Sequence, residues 1–172
     1  MAAVTDLKAK TITLNSNRKN KQMLRIVIAA CLAVLFGGAA LADDLIAVKS
    51  GVSVPQTLDR LQKLVSDAGF FIVARVPHSE AAKGAGLTLR PTELMIFGKP
   101  QSGTPIMVCN QRAAIDLPLH AIAWQDESGQ VWLGMNDPKA LKQRYALAAA
   151  CDPSIAAMDT AVRKFLADAT AP

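Results

Sequence analysis

The chain has 172 residues, 51% of them hydrophobic, and a formal net charge of +5. That charge sits at one end: residues 1–42 hold six Lys and Arg against the single acid Asp6, and the remainder balances 13 basic with 13 acidic residues. A neutral remainder has no field to gather phosphate backbones, so a nucleic-acid partner is not expected.

In chain order, a basic lead (Lys8, Lys10, Arg18, Lys19, Lys21, Arg25) runs into the uncharged apolar block Ile26 to Leu41. The block closes on Ala40-Leu41-Ala42, a small-x-small pattern, and Asp43-Asp44 follow. This is the layout of a secretory signal peptide over 1–42, which predicts a periplasmic protein. The alternative is an uncleaved anchor in the inner membrane, with the domain facing the periplasm. The block falls somewhat short of the roughly 20 apolar residues that span a bilayer. Met23 opens a compact signal by itself, and Cys31 lies within the apolar run rather than after it, unlike a lipidation site.

Residues 43–172 are the size of one domain. Leu45–Lys49 reads as a short strand. Ser53 stands at a helix N-cap position, with Pro55 in the first turn. Leu58, Leu61, Leu64, Val65 and Ala68 then recur at helical spacing up to Gly69, a C-cap residue. Phe70–Val76 is rich in β-branched and aromatic residues and predicts a strand ended by Pro77. His78–Gly86 predicts a short helix, and Glu93–Gly98 a buried strand. Thr104-Pro105 resembles an N-cap and first-turn pair, predicting a helix to about Ala114. Leu119–Asp126 and Gln130–Met135 flank Glu127-Ser128-Gly129 as an antiparallel hairpin carrying Trp124 and Trp132, read as core residues. Asp137-Pro138 and Asp152-Pro153 each start a helix, the first carrying Leu141, Tyr145 and Leu147, the second running over about 153–169. The resulting order, β-α-β-α-β-α-β-β-α-α, predicts a single compact α+β domain of two layers, a mostly antiparallel sheet packed against helices.

Dinucleotide, P-loop, zinc-protease, hydrolase-elbow and paired-cysteine motifs are all missing, so no cofactor and no metal is implied. Cys109 and Cys151 allow a disulfide in an oxidising compartment, closing about 43 residues, or two inert thiols. A thiol or metal role for Cys109 with His78 and His120 is a further option, although their spacing has no ligand regularity. His78, between a strand and a helix, is either a ligand-binding group or a surface cap. His120 is either a ligand group or a half-buried strand residue. Arg90 and Glu93 offer a guanidinium and a carboxylate to a ligand, or form structural ion pairs.

Three blocks, GFFIVARVPHSEAA, LRPTELMIFGKPQSGTPIM and IDLPLHAIAWQDESGQVWLGMNDP, run from Gly69 to Pro138 within a stretch of about 69–145. In order and spacing they resemble the bacterial family known as domain of unknown function 302. The matching positions are His78, Arg90, Pro91, Thr92, Glu93, Phe97, Gly98, Pro100, Leu117 and Pro118. The resemblance implies a two-layer α+β fold and homodimers, and it transfers no reaction, since the family has no established activity. This chain departs from the pattern at Cys109-Asn110 and at His120. The expected function is a dimeric periplasmic module binding a small ligand or a protein near Arg90–Pro100 and Leu117–His120. The alternatives are an enzyme using His78 or Glu93 as general acid or base, and a thiol- or metal-handling protein using Cys109.

Overall fold

The computed structural model describes residues 44–172; the expected signal segment, 1–42, lies outside the described residues. Five strands form one antiparallel sheet: β1 (Leu45–Ser50), β2 (Phe71–Val76), β3 (Thr92–Gly98), β4 (Leu119–Gln125) and β5 (Val131–Asn136). Their spatial order is β1-β5-β4-β3-β2, every neighbouring pair antiparallel. Five helices accompany them: α1 (Val54–Asp67), α2 (His78–Gly84), α3 (Pro100–Cys109), α4 (Pro138–Arg144) and α5 (Asp152–Thr170). The fold is the expected α+β domain.

The two-residue side-chain period of a strand divides the sheet into two faces. Met95, Phe97, Leu119, Ala121, Ala123, Leu133 and Met135 point to one side and form the core with Leu58, Leu61 and Val65 of α1 and Val162, Phe165 and Leu166 of α5. Leu58, Leu61 and Val65 have no exposed surface, and each such burial contributes about 1.5–3 kcal/mol. Phe70, Phe97 and Phe165 meet edge to face with centroids 5.5–6.4 Å apart. The alternate positions, Leu94, Ile96, His120, Ile122, Trp124 and Trp132, point to the second face and remain half-buried.

Local chemistry explains the boundaries of α1. Ser53 accepts from the Gln56 N–H while its own N–H donates to Gln56 Oε1, a reciprocal cap. At the far end Gly69 adopts φ +78°, and the Gly69 and Phe70 N–H groups donate back to Ser66 and Val65. Phe70, expected inside the strand, instead closes this turn and packs in the aromatic trio.

The expected helix from Thr104 to Ala114 needs correction. The helix begins at Pro100, with Lys99 extended before it, and Pro105 is carried inside. Pro100 already supplies the preset φ of a first-turn residue. Asn110 (φ −157°, ψ 111°) ends α3, and its side-chain oxygen accepts from the Arg112 N–H to start a separate 3-10 turn, Gln111–Ile115. Tyr145 and Leu147 both fall outside their predicted helix, because α4 stops at Arg144 with Tyr145 as its C-cap and Ala146 at φ 47°. The turn after β4 is organised by Asp126. Its carboxylate accepts from Ser128 Oγ, from the Ser128 and Gln130 N–H groups and from Trp132 Nε1.

Candidate functional site

The residues singled out from the sequence do not gather at one place. Glu93 faces α1, where it accepts from Arg75 Nε at 2.7 Å, and Asp59 takes a second donor of the same guanidinium at 2.5 Å. Arg75 reaches that face because Val73 is bulged out of the β2–β3 register, so that Ile72 and Arg75 lie on one side. The Arg75 pKa is raised, chiefly by the hydrogen bond to Glu93, against a lowering by burial. Arg90 donates to the Gln125 carbonyl and lies 3.7 Å from Glu127. Both residues thus sit in ion pairs, though with other partners than each other. His78 is exposed at the start of α2, while His120 points to the second face opposite Ile96. Glu93 is held by Arg75 and His78 lies on the surface, so these two are not paired with each other.

Cys109, at the end of α3, is joined to Cys151 in the 3-10 turn Ala149–Cys151 as a disulfide, with Cα atoms 6.5 Å apart. Among the described residues, no group of three or more His, Cys, Asp and Glu is arranged to hold a metal ion. A polar cluster surrounds Asp116, which accepts from Tyr145 Oη at 2.6 Å and from Arg144 at 2.6 Å, Arg144 also bonding Asp44. Burial favours the neutral Asp116 carboxyl, but the Tyr145 and Arg144 hydrogen bonds outweigh it and its pKa is lowered. Asn110 donates to the Tyr145 carbonyl, so the cluster fastens the 3-10 segment to the end of α4.

The segments expected around a ligand do meet, at residues other than the four charged ones. Gly98, Lys99 and Pro100 approach Leu117, Pro118 and Leu119 and, with α3, enclose a cleft of about 340 Å³. Its walls are mostly apolar: Phe70 and Phe71 at one side, Met107 of α3, Leu117 and Leu119, and Met158 of α5. A glycine is needed at 98, because a Cβ there would stand 2.9 Å from Pro118 Cβ. A hollow of about 280 Å³ adjoins the cleft, sharing Phe70, Ser102, Leu119 and Met158. Sequence reasoning named these two segments but chose their charged residues rather than the apolar ones that line the cleft, whose walls carry no titratable cluster. The one available signal was the convergence of small and proline residues in Gly98-Lys99-Pro100 and Leu117-Pro118.

The second face of the sheet is the other feature of size. Trp124 and Trp132 are direct cross-strand partners and stack with centroids 6.3 Å apart and planes 14° apart. Lys49 Nζ lies 5.4 Å from the Trp132 ring centroid. Leu94, Ile96 and Ile122 continue this apolar surface, with Ala74 and Val76 of β2 beside them in register.

Comparison with known proteins gives three results. The family model described as "Domain of unknown function DUF302" matches residues 46–165, a span wider than 69–145. A crystal structure of an uncharacterized conserved DUF302 protein from Bacillus stearothermophilus superposes with a TM-score of 0.67. It covers 75% of this chain and 99% of that one at 20% identity, a likeness of fold. Among curated proteins, the chain is 46% identical over 118 residues to "Fluoride-specific ion channel FluC 1" of Brucella suis and to the protein of that name in Brucella abortus. The match covers 69% of this chain but only 46% and 44% of those two proteins, so the chain spans less than half of their length.

Proposed function

The chain belongs to the DUF302 family, and on that premise we propose that it is an exported, homodimeric binding module, an accessory to other proteins rather than a catalyst. The observation that carries this reading is the apolar second face of the sheet. Leu94, Ile96, Ile122, Trp124 and Trp132 form one continuous half-exposed surface, and contiguous apolar patches of this kind mark interaction sites. A two-fold contact is self-complementary, and flat sheet faces pack well at about 10 Å. Export follows from the basic-then-apolar leader of residues 1–42. Native mass spectrometry of protein purified from periplasm tests both parts at once. The expected species is a dimer of chains lacking the leader, reduced to monomer by Ile122→Lys with an unchanged circular dichroism spectrum. A wild-type monomer at tens of micromolar would remove the pairing, and a chain absent from the periplasmic fraction but found with its leader intact in the cytoplasmic one would remove the export.

The Brucella relatives support a more specific accessory role. Ion conduction requires helices or a closed barrel to cross the bilayer. Among the described residues no helix is long and apolar enough to do so, and the sheet ends in two edges, β1 and β2. In our reading, the conduction named for those relatives resides in the length that this chain does not match, to which the DUF302 part is an added module. A free-standing module then acts beside a fluoride channel. The test is fluoride efflux from vesicles holding a fluoride channel of the same organism, with and without this protein. At least a twofold change in rate supports the role, and identical rates without co-sedimentation contradict it.

A further inference from the structure

We propose that the cleft between α3 and the Leu117–Leu119 segment binds an amphipathic organic anion, with Lys99 receiving its carboxylate. The cleft's roughly 340 Å³ is within the range of small-molecule sites and corresponds to about eleven waters in bulk volume. Phe70, Phe71, Met107, Leu117, Leu119 and Met158 offer an acyl or aryl tail an apolar lining. Two of these are methionines, whose unbranched chains adjust to differently shaped tails.

The charged or hydroxyl side chains of the lining are few: Lys99, Ser102 and Thr104. Lys99 Nζ donates one hydrogen bond, to the Ala68 carbonyl at 3.0 Å, and lies 5.7 Å from the Phe70 ring centroid. That leaves two of its three N–H donors for a ligand. No carboxylate pairs with it among the described residues, and no acidic side chain lines the cleft. Ser102 and Thr104 add two hydroxyls to the lining. A positive charge without a counter-ion beside apolar walls selects a ligand with one anionic end and an apolar body. A cationic head would face Lys99 directly, and a neutral head would forgo the charge-assisted hydrogen bond that a carboxylate makes with it.

Saturated carboxylates from hexanoate to decanoate, titrated calorimetrically into the full-length purified chain, provide the test, with decanol and decyltrimethylammonium as controls. Each added methylene should tighten binding about fourfold until the cleft is filled. Decanoate should bind at least tenfold more tightly than the cationic control, and Lys99→Gln should lower its affinity about tenfold while leaving decanol within twofold. Because Lys99 also holds Ala68, amide shifts of the unaltered protein supply a second readout. Gly98, Ser102 and Gly103 should move on adding decanoate, and the Trp124 and Trp132 indoles should not. Equal binding of the three head groups, or shifts confined to the second sheet face, would overturn the assignment. The inference is separable from pairing: Ile122→Lys protein that still binds decanoate would leave the cleft standing even if the dimer were lost.

Discussion

Replacing Cys109 by Ser and Cys151 by Ala cuts a cross-link between residues 42 apart in sequence. With about 43 residues in the closed loop, the chain-entropy relation assigns the cross-link close to 4 kcal/mol at 25 °C. Cys151 is 2% exposed, so its truncation adds roughly 1 kcal/mol of lost packing, whereas Cys109 is on the surface. For a urea slope of about 1.5 kcal/mol/M, a loss of 4–5 kcal/mol moves the unfolding midpoint down by about 3 M. Urea denaturation followed by tryptophan fluorescence measures it, in the double variant and in wild type with and without a phosphine reductant. The reductant alone should reproduce most of the shift. Hydrogen exchange should quicken around 105–115 and 148–153, where the cross-link fastens α3 to the turn before α5. A wild-type midpoint indifferent to reductant, together with two free thiols by titration under non-reducing conditions, would refute the reasoning.

Three further outcomes follow from single contacts. Gly98→Ala forces a methyl to within 2.9 Å of Pro118 Cβ, and overpacking of this kind costs about 1–3 kcal/mol; an unchanged melting temperature would mean that Pro118 can move aside. Glu93→Gln leaves Arg75 with Asp59 as its only carboxylate partner. With the Arg75 and Glu93 side chains 26% and 13% exposed, this should cost about 1–2 kcal/mol, read from the urea midpoint, with little effect if the bridge is incidental. Asp126 is held down to about 2 by hydrogen bonds from Ser128 and Trp132, with smaller help from the Gln130 N–H. Its folded-state value lies below the ordinary carboxylate one, so its contribution is complete above about pH 4 and disappears as pH falls toward 2. Melting temperature against pH should therefore drop less steeply in that window for Asp126→Asn than for wild type, and parallel curves would remove Asp126 from the acid limb.

Much of the fold was legible because single residues carry strong local rules. Ser53 with Pro55 and Asp137-Pro138 mark helix starts through a capping side chain and a preset first-turn φ, and Gly69 marks an end because it accepts a positive φ. The alternation in β4 and β5 likewise separates Ala121 and Leu133 from Ile122 and Trp132. The misplaced start of α3 has an equally local cause. Pro100 and Pro105 both satisfy the first-turn rule, and only packing of Ile106 into the core, fully buried, decides between them. The two tryptophans were read as core because large aromatics usually are, but period 2 puts them on the face away from α1 and α5. The site was less legible. Glu93 and Arg75 are 18 residues apart, and a bulge at Val73 that no residue type announces brings them together. The cleft arises where two chain segments cross, and its chemistry is the lack of charge around one lysine.

The strand order has a consequence for how the molecule assembles in time. β1 is the first strand among the described residues, yet its partner is β5: Leu45 faces Asn136 and Ser50 faces Val131, separations of about 80–90 residues. The pairs β2–β3, β3–β4 and β4–β5 close over shorter stretches. Loop-closure entropy and contact order then make β1 the late arrival, added to an edge that the other four strands have already built. Pulse-labelled hydrogen exchange during refolding should show the amides of 45–50 gaining protection after those of 119–136. Until that moment the exposed rim is the β5 backbone, a ready template for a foreign strand. Any segment placed ahead of residue 45 thus adjoins the element whose docking finishes the domain.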